Sequence, residues 1–188
     1  MPGADEPAVG GVGMRTPHLL AGSCTSDPVD RVRRAELAVW DELTQTLAQH
    51  PSQWRSLEEG AMVLAEEVDE LWEDVRRNQI GHSRAEAAQV AAMAIRFVAD
   101  LYEPPGPAVE RFRAAAAAAA AVRESVGPRG RALSSSHEGF GFVKREYESL
   151  WAAVRFDEPA RGCGLRVAAA AVRFIAEIHS VPAVGGSR

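Results

Sequence analysis

The residues best suited to chemistry are Glu66, Glu67 and Glu70, spaced Glu-Glu-x-x-Glu, with Glu86 following after 86 − 70 − 1 = 15 intervening positions. On a helix turning about 100° per residue, Glu67, Glu70 and Asp74 fall in one band, with Glu66 and Glu73 just beyond it. Like charges three or four residues apart cost an isolated helix about 0.2–0.5 kcal/mol per pair. A divalent cation reverses that sign. Hard cations such as Mg²⁺ take oxygen ligands, commonly one or two protein carboxylates completed by substrate phosphates. Glu86 projects near the apolar face of the next helix, within about 40° of Val90. Two helices packed antiparallel through a short turn would bring Glu86 to the acidic band and form a metal pocket.

Two plainer readings stand beside this one. A glutamate-rich helix face can simply be solvated, and Ser83-x-x-Glu86 is a legitimate capping box that would close a helix N-terminus.

The elements that must position these residues are helical. Asp30 to about Gln49 places Val32, Leu37, Val39, Trp40, Leu43 and Leu47 at spacings expected of one buried stripe, and Pro51 stops it. From about Leu57 to Arg77 the stripe is Leu64, Val68, Leu71 and Val75, stepping by four, three and four as bundle helices do. A turn from Arg77 to His82 precedes a third helix, Ser83 to about Leu101, with stripe Val90, Ala94, Phe97 and Leu101. Pro104, Pro105 and Pro107 end it. Then come an alanine-rich helix from about Ala108 to Val126, a Gly-Pro-Arg-Gly break, and helices from about Glu138 to Arg155 and Cys163 to His179. No run alternates apolar and polar residues as strands do. Alanine favours helix but buries little area, so the fourth helix suits a place where bulkier residues would not fit.

The order of elements repeats because the sequence does. Glu59, Gly60, Glu67, Leu71, Trp72, Val75 and Arg76 recur as Glu138, Gly139, Glu146, Leu150, Trp151, Val154 and Arg155, a shift of 138 − 59 = 79. Val90, Ala91, Ala92, Ala94, Arg96, Phe97 and Ala99 recur as Val167, Ala168, Ala169, Ala171, Arg173, Phe174 and Ala176, a shift of 167 − 90 = 77. The difference falls in the intervening turn, where loops absorb deletions. The expected fold is all-α: a helical bundle of two three-helix units related by a pseudo-two-fold axis. The expected divisions are a flexible segment 1–27, a first repeat 28–103 carrying the acidic site, a linker 104–108, a second repeat 109–180 and a flexible tail 181–188. Trp72 and Trp151 persist where the carboxylates do not, which assigns them to packing, and Arg96-Phe97 and Arg173-Phe174 read the same way.

Composition narrows the function. With 188 residues and 46% hydrophobic content the chain can bury a real core, and a formal charge of −5 makes nucleic acid an unsuitable partner. Cys24 and Cys163 are too few for a disulfide framework or zinc site. No stretch reaches the roughly 18 apolar residues a membrane span requires, and no signal-peptide pattern opens the chain. A cytoplasmic protein is expected. The five histidines show no metal-ligand spacing, and no phosphate loop or nucleophile–base pair is present.

These residues resemble the all-α nucleoside triphosphate pyrophosphohydrolases, which include MazG-like proteins and the dimeric dUTPases. The family signature is Glu-Glu-x-x-Glu, then a dozen to nearly thirty residues, then Glu-x-x-Asp. Glu66, Glu67, Glu70 and Glu86 match it, while Gln89 stands where the family has aspartate. The words Glu-Glu-Val-Asp-Glu-Leu-Trp and Gln-Val-Ala-Ala-Met-Ala also look like small MazG-like proteins of bacteria and phages. The resemblance covers residues 57–101 well and 136–178 as a faded copy. It implies Mg²⁺, or Mn²⁺, held by Glu66, Glu67, Glu70, Glu86 and Gln89. It also implies cleavage of an NTP or dNTP between its α- and β-phosphates, with one of Glu66, Glu67 and Glu70 taking the proton of the attacking water.

In the second copy, Arg145, Ser149, Cys163 and Arg166 replace Glu66, Glu70, Glu86 and Gln89, leaving Glu146 opposite Glu67. This half is expected to pack as a built-in dimer partner. Arg145 and Arg166 either contact substrate phosphate or pair with Glu146 and Glu148. Association of two chains into a homo-oligomer stays open. The alternative function is a non-catalytic helical module for protein binding or regulation, which Gln89 and the decayed second copy would suit.

Overall fold

The computed structural model describes residues 27–126 and 131–179, and among them the chain forms six α-helices and no strand. They are α1 (Pro28–Gln49), α2 (Leu57–Arg76), α3 (Ile80–Leu101), α4 (Ala108–Val126), α5 (Ser136–Arg155) and α6 (Arg161–Glu177). The proposed flexible segment 1–27 (save Asp27), the Gly-Pro-Arg-Gly break and the tail 181–188 lie outside the described residues.

α3 and α6 form the central pair of a compact bundle. α2 packs on α3, α5 on α6, and α2 and α5 on each other, while α1 and α4 each lie across both central helices. Centrality explains α3's composition. A helix covered on several sides needs apolar residues beyond one stripe, and α3 buries nearly everything from Ala87 to Ala99. The stripe of α2 is buried as its spacing demands, Leu64, Val68, Leu71 and Val75 being fully enclosed.

In α1 the buried residues are Ala35, Val39 and Leu43, and Leu37 is 55% exposed, contrary to the expected stripe. Val39 and Leu43 of the expected stripe are buried together with Ala35, one turn before Val39, and this rotation of the helix turns Leu37 outward. Phe112, Ala115 and Ala119 of α4 are buried, consistent with close approach to the central pair. Towards α1, however, the small alanines leave an apolar cleft of about 270 Å³.

The second and fifth helices open alike. Ser56 Oγ accepts from the Glu59 N–H at 3.1 Å, and Ser135 Oγ accepts from the Glu138 N–H at 3.1 Å. The carboxylates of Glu59 and Glu138 reach back to the N–H groups of Arg55 and Ser134. These are capping-box contacts, so both glutamates serve helix termini. Gly60 and Gly139, one residue on, lie where an added Cβ would sit 2.8 Å from Phe97 and 2.6 Å from Phe174 respectively. Recurring glycine and recurring phenylalanine are thus one contact made in each half. Trp72 stacks on Phe140 with ring centroids 4.9 Å apart and meets His137 edge-on, joining α2 to α5. Among the described residues, no helix is long and apolar enough to cross a membrane.

Candidate metal centre

The acidic residues meet because α2 turns back into α3 within three residues. Asn78 adopts a left-handed conformation (φ 56°), which asparagine tolerates better than most side chains, and α3 starts at Ile80. That start is three residues earlier than the sequence suggested, and it removes the capping role of Ser83-x-x-Glu86. Ser83 is buried inside the first turn, its hydroxyl donating to the carbonyl of Gln79 at 2.9 Å. Glu86 is therefore not a cap.

Glu67 and Glu70 of α2 and Glu86 of α3 each present a carboxylate oxygen, and the three oxygens lie within 4.8 Å of one another. Glu67 and Glu86 are half-buried and Glu70 is exposed. One oxygen of Glu67, Oε2, is buried with no hydrogen-bond partner. Burial first, and then the charges of Glu70, Glu86, Glu42 and Glu66, push the Glu67 carboxyl up to about 7. Glu86 is also raised, by burial and then by Glu70, Asp74 and Glu42, against a lowering influence of His82. Carboxylates that resist ionisation together, with an unsatisfied oxygen and all-oxygen donors, have the chemistry of a hard-cation site.

Gln89 sits one turn beyond Glu86, and its Nε2 donates to Glu86 Oε2 at 2.9 Å. Glu66 is exposed and lies outside the converging trio, though its charge is felt by Glu67. The trio thus brings together three of the four glutamates picked out by spacing.

Beside it opens a cavity of about 420 Å³, walled by Glu42 and Thr46 of α1, Gln53 and Trp54 of the α1–α2 connection, Glu67 of α2 and Gln89 of α3. A buried ion cluster fixes that connection. Asp100, its side chain 2% exposed, pairs with Arg96 at 3.2 Å and Arg111 at 3.4 Å and accepts from the Trp54 N–H at 3.3 Å. Arg96 Nη2 also donates to the carbonyls of His50 and Ser52, and its guanidinium lies 4.7 Å over the Trp54 ring. Arg96 is thus committed to structure. Spacing on a single helix did not reveal Glu42, which stands 67 − 42 = 25 positions before Glu67, or the hydrogen bonds of Arg96 and Asp100 with the α1–α2 connection, which join positions 44 to 46 residues apart.

The second half has a different arrangement at the matching positions. Arg166 pairs with Glu146 at 2.9 Å and with the Cys163 sulfur at 3.2 Å, and Arg145 reaches Glu146 at 3.7 Å. Both arginines thus meet Glu146, one of the two glutamates expected as their partners. The guanidiniums of Arg145 and Arg173 lie 5.0 and 5.4 Å from the ring centroid of Phe142, 79 positions after Val63. No protein-family model, curated protein or solved structure matches the chain.

Proposed function

We propose that the chain is a MazG-like nucleoside triphosphate pyrophosphohydrolase made of one helical unit written twice about a pseudo-two-fold axis. Its first half keeps the acidic site, and its second half serves as the built-in partner. The observation that carries this reading is the convergence of Glu67, Glu70 and Glu86 beside a cavity whose volume suits a small ligand.

The fit to a dication rests on the donor set and on the orphaned oxygen of Glu67. Glu67, Glu70 and Glu86 would hold Mg²⁺ or Mn²⁺, with the carbonyl oxygen of Gln89 within the same turn. Bound there, the ion supplies neutralisation of phosphate oxygens and a more acidic water. Glu66, exposed at the edge of the trio, is the carboxylate left to accept that water's proton. The nucleotide is cleaved between its α- and β-phosphates to a monophosphate and pyrophosphate. Gln89 in place of an acid leaves the site one negative charge lower and its metal affinity weaker. The arginines of the second half are spent on Glu146, which agrees with a single site per chain.

One observation favours the rival reading of a non-catalytic binding module: Gln89, the residue that stands where the family has an acid, donates to an oxygen of Glu86. The discriminating experiment measures pyrophosphate and monophosphate from a panel of canonical, deoxy and damaged nucleotides with Mg²⁺ or Mn²⁺. Metal-dependent turnover that disappears in Glu67→Gln is expected. A folded protein with no turnover across the panel would favour the rival.

A further inference from the structure

The apolar cleft between α1 and α4 shares no lining residue with the cavity beside the acidic trio. Val39, Trp40 and Leu43 form its α1 wall, four alanines of α4 the facing wall, and Ile95 and Val172 of the central helices its floor. Its volume of about 270 Å³ is too small to seat a helix, yet it exceeds the apolar cavity of about 150 Å³ that takes benzene. The charged lining residues are Glu36 and Arg123, which pair at 2.9 Å through Arg123 Nη2, and Glu124 lies 3.6 Å from the same nitrogen. Arg123 Nε is buried with no hydrogen-bond partner among the described residues. A buried N–H in that state is costly, and an acceptor placed in the cleft relieves the cost. The charge of the guanidinium is already met by two carboxylates, so an anion gains little there. A neutral oxygen is the acceptor that fits.

We infer that this cleft binds a small neutral apolar molecule of about ten carbons that carries one carbonyl oxygen. The hydrocarbon part lies against Trp40, Leu43, Ile95 and Val172, and the carbonyl accepts from Arg123 Nε. The alanine run from Ala114 to Ala121 keeps the space open, because alanine sustains a helix without filling what lies beside it. Burial of the ligand's apolar surface supplies the affinity, and Arg123 selects for the oxygen. The site is independent of the nucleotide reading.

The test is a titration of the methyl-labelled full chain, followed by NMR, with 1-tetralone, its hydrocarbon counterpart tetralin and the anion 1-naphthoate. Saturable shifts at the methyls of Val39, Leu43, Ile95 and Val172 are expected with 1-tetralone. Its affinity should exceed that of tetralin by about tenfold, the worth of one hydrogen bond to a charged group, and should also exceed that of 1-naphthoate. Arg123→Met should abolish the preference for the ketone. Ala120→Leu fills the cleft with a residue that favours helix and should abolish the shifts. No saturable shift at these methyls, equal affinity for 1-tetralone and tetralin, or tightest binding of 1-naphthoate overturns the inference. So does a ketone preference that survives in Arg123→Met, or binding that survives in Ala120→Leu. The comparison of the three ligands on the parent decides the matter even if Ala120→Leu fails to fold. Shifts at the same methyls on diluting the ligand-free protein would assign the cleft to a second copy of the chain. Shifts there on removing residues 1–26 would assign it to the chain's own N-terminal segment, and either result overturns the inference.

Discussion

Glu67→Gln should make the metal-free protein more stable at alkaline pH, the opposite of what most substitutions at half-buried sites do. The Glu67 carboxyl titrates at about 7 in the folded chain against an ordinary value of 4.5. Because the folded-state value is the higher one, protonation favours folding. The contribution is complete below pH 4.5 and is lost as pH rises through about 7. At about 1.36 kcal/mol per pH unit, the loss is at most about 3 kcal/mol, and solvent screening of a partly exposed group reduces it to about 1–2 kcal/mol. Glutamine removes the charge, and its amide can donate to Glu70 or Glu86. Urea unfolding in EDTA should therefore show Glu67→Gln more stable than the parent at pH 8 by about 1–2 kcal/mol, with the difference shrinking towards pH 5. Adding Mg²⁺ at pH 8 should stabilise the parent and leave the variant unchanged. A variant less stable than the parent at pH 8 in EDTA would refute the reasoning, because the burial cost and the repulsion assigned to the ionised Glu67 would then not exist.

Other outcomes follow from the same contacts. Mn²⁺ affinity should rise as pH increases towards 7, since binding must displace the Glu67 proton, and a titration at pH 5.5 and 7.5 checks this. Gln89→Asp should tighten Mn²⁺ binding by adding a charge beside Glu86 and should lower metal-free stability at pH 8, both read in the same titrations. Asp100→Ala should cost about 3–5 kcal/mol in urea unfolding, because Arg96 and Arg111 would lose their buried counter-charge. Gly60→Ala and Gly139→Ala should each cost about 1–3 kcal/mol, as the new methyl meets Phe97 or Phe174.

Much of this arrangement was legible along the chain because it is local. The α2 stripe, the shared face of Glu67 and Glu70, and the short turn to α3 all follow from helical spacing, and they suffice to bring Glu86 across. What was misread involved competition between local signals. Ser83 looked like a cap, but its hydroxyl bonds back to Gln79 from within the helix. Leu37 looked like core, but the rotation of α1 is set by Ala35, Val39 and Leu43 against the central pair. What escaped notice was tertiary. Glu42 joins the site only because α1 packs across α3 and α6, and Asp100 gathers Trp54, Arg96 and Arg111 from three stretches of chain. The repeated glycines and glutamates carried real information whose cause, a phenylalanine contact and a helix cap, became visible only in three dimensions.

The most direct test of the metal centre is a Mn²⁺ titration of the full chain followed by electron paramagnetic resonance, with Glu70→Gln and Arg166→Ala as comparisons. One Mn²⁺ per chain, lost in Glu70→Gln and kept in Arg166→Ala, is the expected result. No bound Mn²⁺ in the parent, or binding that survives Glu70→Gln, would contradict a cation site at Glu67, Glu70 and Glu86.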